Sequence, residues 1–436
     1  METPVKEDFS ETLKHKDAAF VWHPYHRISP AALVIPIAKA TGAHLIDYNG
    51  NRYLDAISSW WVTAHGHAHP AIAKRIAKQA EMLDQVIFAD FTHAGAIELA
   101  ERLVAQLGIG SARVFYSDNG STAVEAALKM AMQYWHHRNH FKRTKIICFQ
   151  NAYHGDTFGA MSVSGRSLFT RPFWPYLFEV ESIVPPYFGQ EELSLKQMQR
   201  CLDKGDAAAF IFEPTVQGAS GMFMHSSSGL DALLKLCQHH GVITIADEVM
   251  TGFGRTGPLF VCHKLTCKPD IICLSKALTG GCLPLGATVC KQHIYNTFVH
   301  GGWERTLMHG HSYSGNPLAC AAALASLDLF AQPECTHARK MIEARHITFK
   351  QHWGTHPKLA RCDVAGTILA LEYKQNANTA NGYLSPLRDE LSRIFLSQHI
   401  FVRPLGNVLY LMPPYCTQSE DLKRVYDCIA FTLEND

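Results

Sequence analysis

At 436 residues the chain has room for two to four structural units of about 100 to 200 residues each, and for a large buried core. Forty Lys and Arg against 39 Asp and Glu leave a formal charge of +1, which excludes a strong field for nucleic acid or an anionic membrane and points to small-molecule substrates. A composition of 47% hydrophobic and 18% charged residues is that of an ordered globular protein, not a disordered one.

The start, Met1 to Lys16, mixes Glu, Asp and Lys and lacks the apolar stretch of a signal peptide. The longest apolar run, Leu318 to Leu327, is too short to span a bilayer, so a cytoplasmic protein without membrane association is expected. None of the 13 cysteines forms a Cys-x-x-Cys pair, and Cys262, Cys267 and Cys273 lack zinc-type spacing; reduced thiols and no metal are expected.

In chain order, residues 1–70 carry short strands punctuated by Pro24, Pro30, Pro36, Gly42 and Gly50, and are expected to pack with a small domain. His65, His67 and His69 would share one face of a strand, but Gly66 and Pro70 favour a turn over a metal site. Residues 71–331 form the expected large domain. Its β-rich runs, Val114–Tyr116, Ile146–Phe149, Ala208–Phe212, Val242–Ala246, Ile271–Leu274 and Ala287–Cys290, alternate with loops and helical patterns, as in an α/β fold with a mainly parallel sheet. From Ser121, the spacing of Val124, Ala127, Leu128, Ala131, Met132 and Trp135 predicts an amphipathic helix directly after a strand. Residues 332–436 read as a smaller α+β domain: a helical pattern broken at Pro333, strands near Gly366–Tyr373 and Asn407–Leu411, and a terminal helix after Ser419.

Polar residues cluster where strands end. Asp247 follows one predicted strand, and Ser275 and Lys276 follow another; in open α/β sheets ligands bind outside the carboxyl ends of strands, so both side chains are expected at one crevice. Asp118, Asn119, Gly120 and Ser121 join a strand to a helix, where free N–H groups and the positive helix end suit an anion. Taken singly, a Lys after a strand is usually solvated and Asp-Asn-Gly-Ser is usually a plain cap; together they favour a shared ligand site. Tyr153, His154 and Gly155 follow a third strand, and Glu213, Pro214 and Gln217 a fourth. Gly252, Gly254 and Gly257 spell G-x-G-x-x-G, but Pro258, Leu259 and Phe260 follow in place of a helix, and Asp270 precedes its strand, so dinucleotide binding is rejected.

Ser275 to Gly281, with Asp247 and Glu248, resembles the motifs of class III aminotransferases, of the fold-type I pyridoxal-phosphate enzymes. That resemblance implies a large domain with a mainly parallel seven-stranded sheet, a smaller α+β domain, and pyridoxal 5'-phosphate as cofactor. It makes Lys276 the residue that carries the cofactor as a Schiff base and Asp247 the partner of the pyridine nitrogen. It assigns Gly120, Ser121, His311 and Ser312 to the cofactor, with Tyr153 stacked on its ring.

The flanking segments Trp22 to Tyr25, Ser58 to Trp61, Arg403 to Gly406 and Tyr410 to Tyr415 resemble those family members that convert 8-amino-7-oxononanoate to 7,8-diaminononanoate in biotin synthesis. The resemblance runs from about Trp22 to Tyr415. It implies that Tyr25, Trp60, Tyr153, Lys276 and Gly310 contact substrate and that Arg403 binds its carboxylate, with charge from Arg255 nearby. It implies a homodimer in which Gly310, His311 and Ser312 reach the partner's cofactor phosphate. The amino donor is S-adenosylmethionine or lysine. His311 stands where many members have Pro, and His26 where Thr is usual. An ω-amino acid or diamine aminotransferase is the competing reading.

Overall fold

Alternate residues of the central strands face two different cores. The model is a computed structural model; it describes residues 9–27, 34–168, 170–375 and 385–435. The first eight residues and Pro30 lie outside these. The strands are β1 (Ile37–Thr41), β2 (His44–Asp47), β3 (Arg52–Asp55), β4 (Ala112–Ser117), β5 (Lys145–Phe149), β6 (Val180–Ile183), β7 (Ala207–Phe212), the short pair β8 (Val216–Gln217) and β9 (Phe223–Met224), β10 (Ile243–Asp247), β11 (Ile271–Leu274), β12 (Gly286–Lys291), β13 (Leu359–Ala365), β14 (Ile368–Tyr373), β15 (Ile400–Phe401) and β16 (Val408–Leu411).

The central sheet has seven strands in the order β4-β12-β11-β10-β7-β5-β6. Only β12 runs against the rest, antiparallel to both β11 and β4. Ile147, Phe149, Phe210, Phe212, Ile272 and Leu274 face one core, and Ile146, Cys148, Ala209, Ile211, Ile271 and Cys273 face the other. A sheet covered on both faces needs such uninterrupted apolar runs, which is why β7 is buried at every position. The strand absent from the sequence reading is β6, an edge strand whose Val-Glu-Ser-Ile is too short and polar to stand out.

Helix Gly120–His137 covers one face. It is capped by Asn119, whose side chain accepts from the Thr122 N–H at 3.0 Å, while Thr122 Oγ1 accepts from the Asn119 N–H at 2.9 Å. Leu99, Leu103 and Leu107 from helix Ala94–Leu107, with Ala319, Ala323 and Leu327 from helix Pro317–Phe330, cover the other. Pro333 does not break a helix: it occupies the first position of a new one, Pro333–Trp353, where its missing N–H costs nothing.

Strands β13, β14 and β16 form a three-stranded antiparallel sheet packed by helices Leu387–Ser397 and Ser419–Glu434. Strands β1 to β3 form a second small sheet, completed by β15 lying parallel to β3. Among the described residues no helix is long and apolar enough to cross a membrane.

Gly286 opens β12 beside the carboxyl end of β4, and a Cβ there would collide with the Asn119 carbonyl oxygen and with Ser117 Oγ. Gly286→Ala is therefore expected to lower stability by about 1–3 kcal/mol through overpacking, and to displace the turn at Asn119. Denaturant unfolding measures this; a variant as stable as the parent would contradict it.

Candidate active site

Five loops leave the carboxyl ends of the central strands and close around one cavity of about 390 Å³. Gly120 and Ser121 come from the turn after β4, Tyr153, His154 and Gly155 from the loop after β5, and Glu213 from the end of β7. Asp247, Val249, Met250 and Thr251 come from β10 and its loop, and Ser275 and Lys276 from the end of β11. The predicted residues Lys276, Asp247, Gly120, Ser121 and Tyr153 thus meet in one place.

Lys276 begins a single 3-10 turn, Lys276–Thr279, at φ +46°, a left-handed value that a lysine rarely adopts. Ser275 Oγ donates to the Leu285 carbonyl at 2.7 Å, and Thr279 Oγ1 to that of Leu283 at 2.5 Å, so the turn is tied to the strand connection on both sides. Burial pulls the Lys276 ammonium down to about 8; Asp247 and Glu213 act to raise it and Arg255 to lower it. An amine in that range is partly neutral near neutral pH, as a nucleophile requires.

Asp247 is 5% exposed. Its Oδ1 accepts from the Val249 N–H at 3.0 Å, and its Oδ2 lies 2.7 Å from Nδ1 of the buried His154. The carboxylate is thereby fixed in rotation as well as position. Glu213 accepts from the N–H groups of Tyr153 (3.2 Å) and Gly218 (3.1 Å). Burial pushes its carboxyl up to about 7, with Asp247 adding to the rise and His154 and the two N–H donors opposing it.

At the far end, the first turn of helix Gly120–His137 leaves the N–H groups of Gly120 and Ser121 without intrahelical acceptors. Val249 packs against Gly120 so closely that a Cβ would come within 2.7 Å of it, and Gly155 (φ +128°) leaves room for Ser121 in the same way. The site is a nucleophilic amine, a fixed carboxylate and an anion-binding helix end around one cavity.

Tyr25, Trp60 and Arg403 form a second cluster. The Arg403 guanidinium lies 4.8 Å over the Trp60 ring and donates to the Tyr25 carbonyl at 2.8 Å. The Tyr25 ring meets Trp60 edge-on at 5.4 Å, and its hydroxyl donates to Asp156. Burial, followed by Tyr25 and Asp156, pushes the Tyr153 phenol up, which links this cluster to the cavity.

Arg255 is wholly enclosed and donates to the carbonyls of Pro413 (3.0 Å) and Trp61 (3.3 Å); it braces backbone there while its charge acts on Lys276. Gly310, His311 and Ser312 are not among the lining residues of their own chain's cavity, and His311 Nδ1 lies 3.5 Å from Asp118 of the same chain. Of the histidines of 65–69, His67 lies on Asp55 (2.8 Å), while His65 lies near Ser326 (3.1 Å) with its ring edge-on to that of His69 at 6.2 Å. Among the described residues no group of three or more His, Cys, Asp or Glu side chains is placed to hold a metal ion. Gly252 to Gly257 lie in successive turns, and Asp270 accepts from the Thr244 N–H (3.0 Å) and pairs with Lys291 (3.2 Å).

The sequence reading missed Trp61, Val249 and Met250. Trp61 lines the cavity and faces Lys276, whereas Trp60 faces Arg403. Val249 follows Asp247 and Glu248 directly, and its position after a strand-end carboxylate was the available signal.

Residues 26–433 match the family model described as aminotransferase class-III. The chain is 45% identical over 422 residues to the adenosylmethionine-8-amino-7-oxononanoate aminotransferase of Synechococcus elongatus, covering 95% of this chain and 98% of that protein. Among solved structures it resembles the enzyme of that name from Methanocaldococcus jannaschii, with TM-score 0.90 and 34% identity over 97% of this chain and 99% of that one. It also resembles a PLP-bound amine transaminase from an uncultivated Pseudomonas species, with TM-score 0.88 and 29% identity over 95% and 98% of the two chains.

The folded Glu213 carboxyl titrates near 7 against 4.5 for a free one, so it contributes a stability that falls as pH rises between those values. Glu213→Gln removes that loss. The variant's stability relative to the parent is expected to improve from about pH 5 to about pH 7.5, by at most about 3 kcal/mol. Unfolding of both proteins across that range is the measurement; a constant difference would refute the shift.

Proposed function

This chain belongs to the class-III aminotransferase family, and from that premise we propose that it transfers an amino group from S-adenosylmethionine to 8-amino-7-oxononanoate, giving 7,8-diaminononanoate, as a cytoplasmic homodimer. It is a pyridoxal-phosphate-dependent transaminase. The residues fit that cofactor: the cavity offers an amine for its aldehyde, a buried carboxylate for its pyridine nitrogen and a helix end for its phosphate. When bound, the cofactor takes up the amino group and its ring accepts the electron pair left by a departing proton.

In this reading Lys276 anchors the cofactor and its freed amine moves the proton at the substrate carbon. Asp247 keeps the pyridine nitrogen protonated, and His154 holds that carboxylate in its orientation. Gly120 and Ser121 hold the phosphate, and Tyr153 flanks the ring.

The acceptor is a flexible apolar chain ending in a carboxylate. The observation that carries this substrate is the Tyr25, Trp60 and Arg403 cluster, an aromatic wall with a planar guanidinium beside the cavity. The relatives named for this acceptor support it.

Dimerisation is supported by the exposed Met82, Ile87, Phe91 and Tyr313, which flank the contact of Gln85 with the Ser312 carbonyl. There Gly310, His311 and Ser312 are assigned to the partner's phosphate site. The cytoplasmic assignment rests on thirteen free thiols.

Borohydride reduction of the holoenzyme followed by peptide mapping is expected to label Lys276, and Lys276→Ala to lose the label and nearly all turnover; label on another lysine would remove Lys276 from this role. Mass spectrometry of the product from 8-amino-7-oxononanoate, with S-adenosylmethionine or lysine supplied, tests acceptor and donor together. Arg403→Ala is expected to cost about 2–5 kcal/mol in the acceptor half-reaction, as for breaking a buried charge pair. The donor half-reaction should continue. Equal damage to both halves in stopped-flow measurements would favour an ω-amino acid or diamine substrate.

A further inference from the structure

The two adjacent tryptophans face different groups. Trp60 meets Arg403, whereas the Trp61 indole lies under the Lys276 ammonium, 4.7 Å from Nζ to the ring centroid. Among the described residues no side chain hydrogen-bonds that Nζ, so the indole face is its direct partner. A lysine stem has four flexible carbons, and a freed amine on it would otherwise sample many positions.

The indole itself is held from every side. Its Nε1–H donates to the Tyr410 hydroxyl at 2.9 Å, and the two rings meet edge-on at 6.0 Å. The Trp61 carbonyl accepts from Arg255 at 3.3 Å. The backbone leading to it is strained: Ser58, Ser59 and Trp61 have φ of +54°, +60° and +68°. Such values persist only where surroundings over-determine them. Here Asp55 accepts from the N–H groups of Ile57 (3.1 Å) and Ser59 (2.6 Å), and Ser58 Oγ donates to the Met412 carbonyl at 2.8 Å.

We propose that Trp61 is a positioning residue for Lys276, its indole face holding the side-chain ammonium in place during the part of each half-reaction when the lysine is not bonded to the cofactor. The inference rests on the proposed role of Lys276. A cation over an indole face is favoured over a neutral amine. Trp61 thus acts with Asp247 from β10 and Glu213 from β7 to retain the charge, against burial and Arg255. The same contact keeps the amine within the cavity, from which it can return to the cofactor.

The test uses protein loaded with pyridoxamine 5'-phosphate, in which the lysine is unlinked. Acetic anhydride labelling of Lys276, followed by mass spectrometry across pH, reports the fraction of neutral amine. In Trp61→Leu the labelling midpoint is expected to fall by about half a unit to one and a half units, the range from an exposed to a desolvated cation–aromatic contact. Trp61→Phe keeps a weaker aromatic face and should fall between Leu and the parent. Tyr410→Phe frees the indole without removing it and should shift the midpoint by less than Trp61→Leu. Admitting water alone would move the midpoint upward, so an unchanged or raised midpoint in both Trp61 variants overturns the proposal, as does a Phe variant indistinguishable from Leu. Borohydride labelling separates the two readings: if Lys276 is labelled in the parent but the midpoints do not fall, only the role of Trp61 is lost.

Discussion

Taking an ammonium out of water costs several kcal/mol unless neighbouring charges and polar groups replace its hydration, and Lys276 sits half-buried just past the carboxyl end of β11 among such groups. Asp247 and Glu213 favour its charge; burial and Arg255 oppose it. Neither acid forms an ion pair with it in contact. Asp247 is instead committed to His154 and the Val249 N–H, and Glu213 to the N–H groups of Tyr153 and Gly218. The lysine therefore feels negative charge without being locked to it, which leaves the amine free to bond elsewhere.

That balance depends on elements far apart in sequence. Arg255 braces the Trp61 and Pro413 carbonyls, and its guanidinium lies 4.9 Å over the Tyr415 ring. One buried side chain thus joins the strained turn of 58–61, the loop after β10 and the segment after β16. Its lack of a carboxylate partner in contact is offset by carbonyls and an aromatic face, and its charge still reaches the lysine through the protein interior.

Much of the chemistry was legible because strand ends are legible. Continuous apolar runs marked β5, β7, β10 and β11, and polar residues at their ends could only face one crevice. The stripe beginning at Val124 marked the helix whose first turn opens onto the cavity. The rest failed for physical reasons. β6 is short and polar, and Pro333 starts a helix as readily as it stops one. The division between Trp60 and Trp61 is set by left-handed backbone at Ser58, Ser59 and Trp61, which has no period in the sequence.

The parallel pairing of β3 with β15 sets Leu54 and Asp55 opposite Ile400 and Phe401. Trp60 follows the first strand and Arg403 the second, so their encounter is fixed by one backbone ladder, as the spacing of Lys276 and Asp247 is fixed by adjacent β11 and β10, about 5 Å apart. Reaction and recognition therefore stand on separate rulers. With Lys276 and Arg403 in the roles proposed for them, a small slide of one sheet against the other would change the length of acceptor spanned between amine and guanidinium while leaving both sets of internal distances intact. Chain-length selectivity would then be a property of how two sheets are seated, open to adjustment by side chains that touch neither substrate nor cofactor.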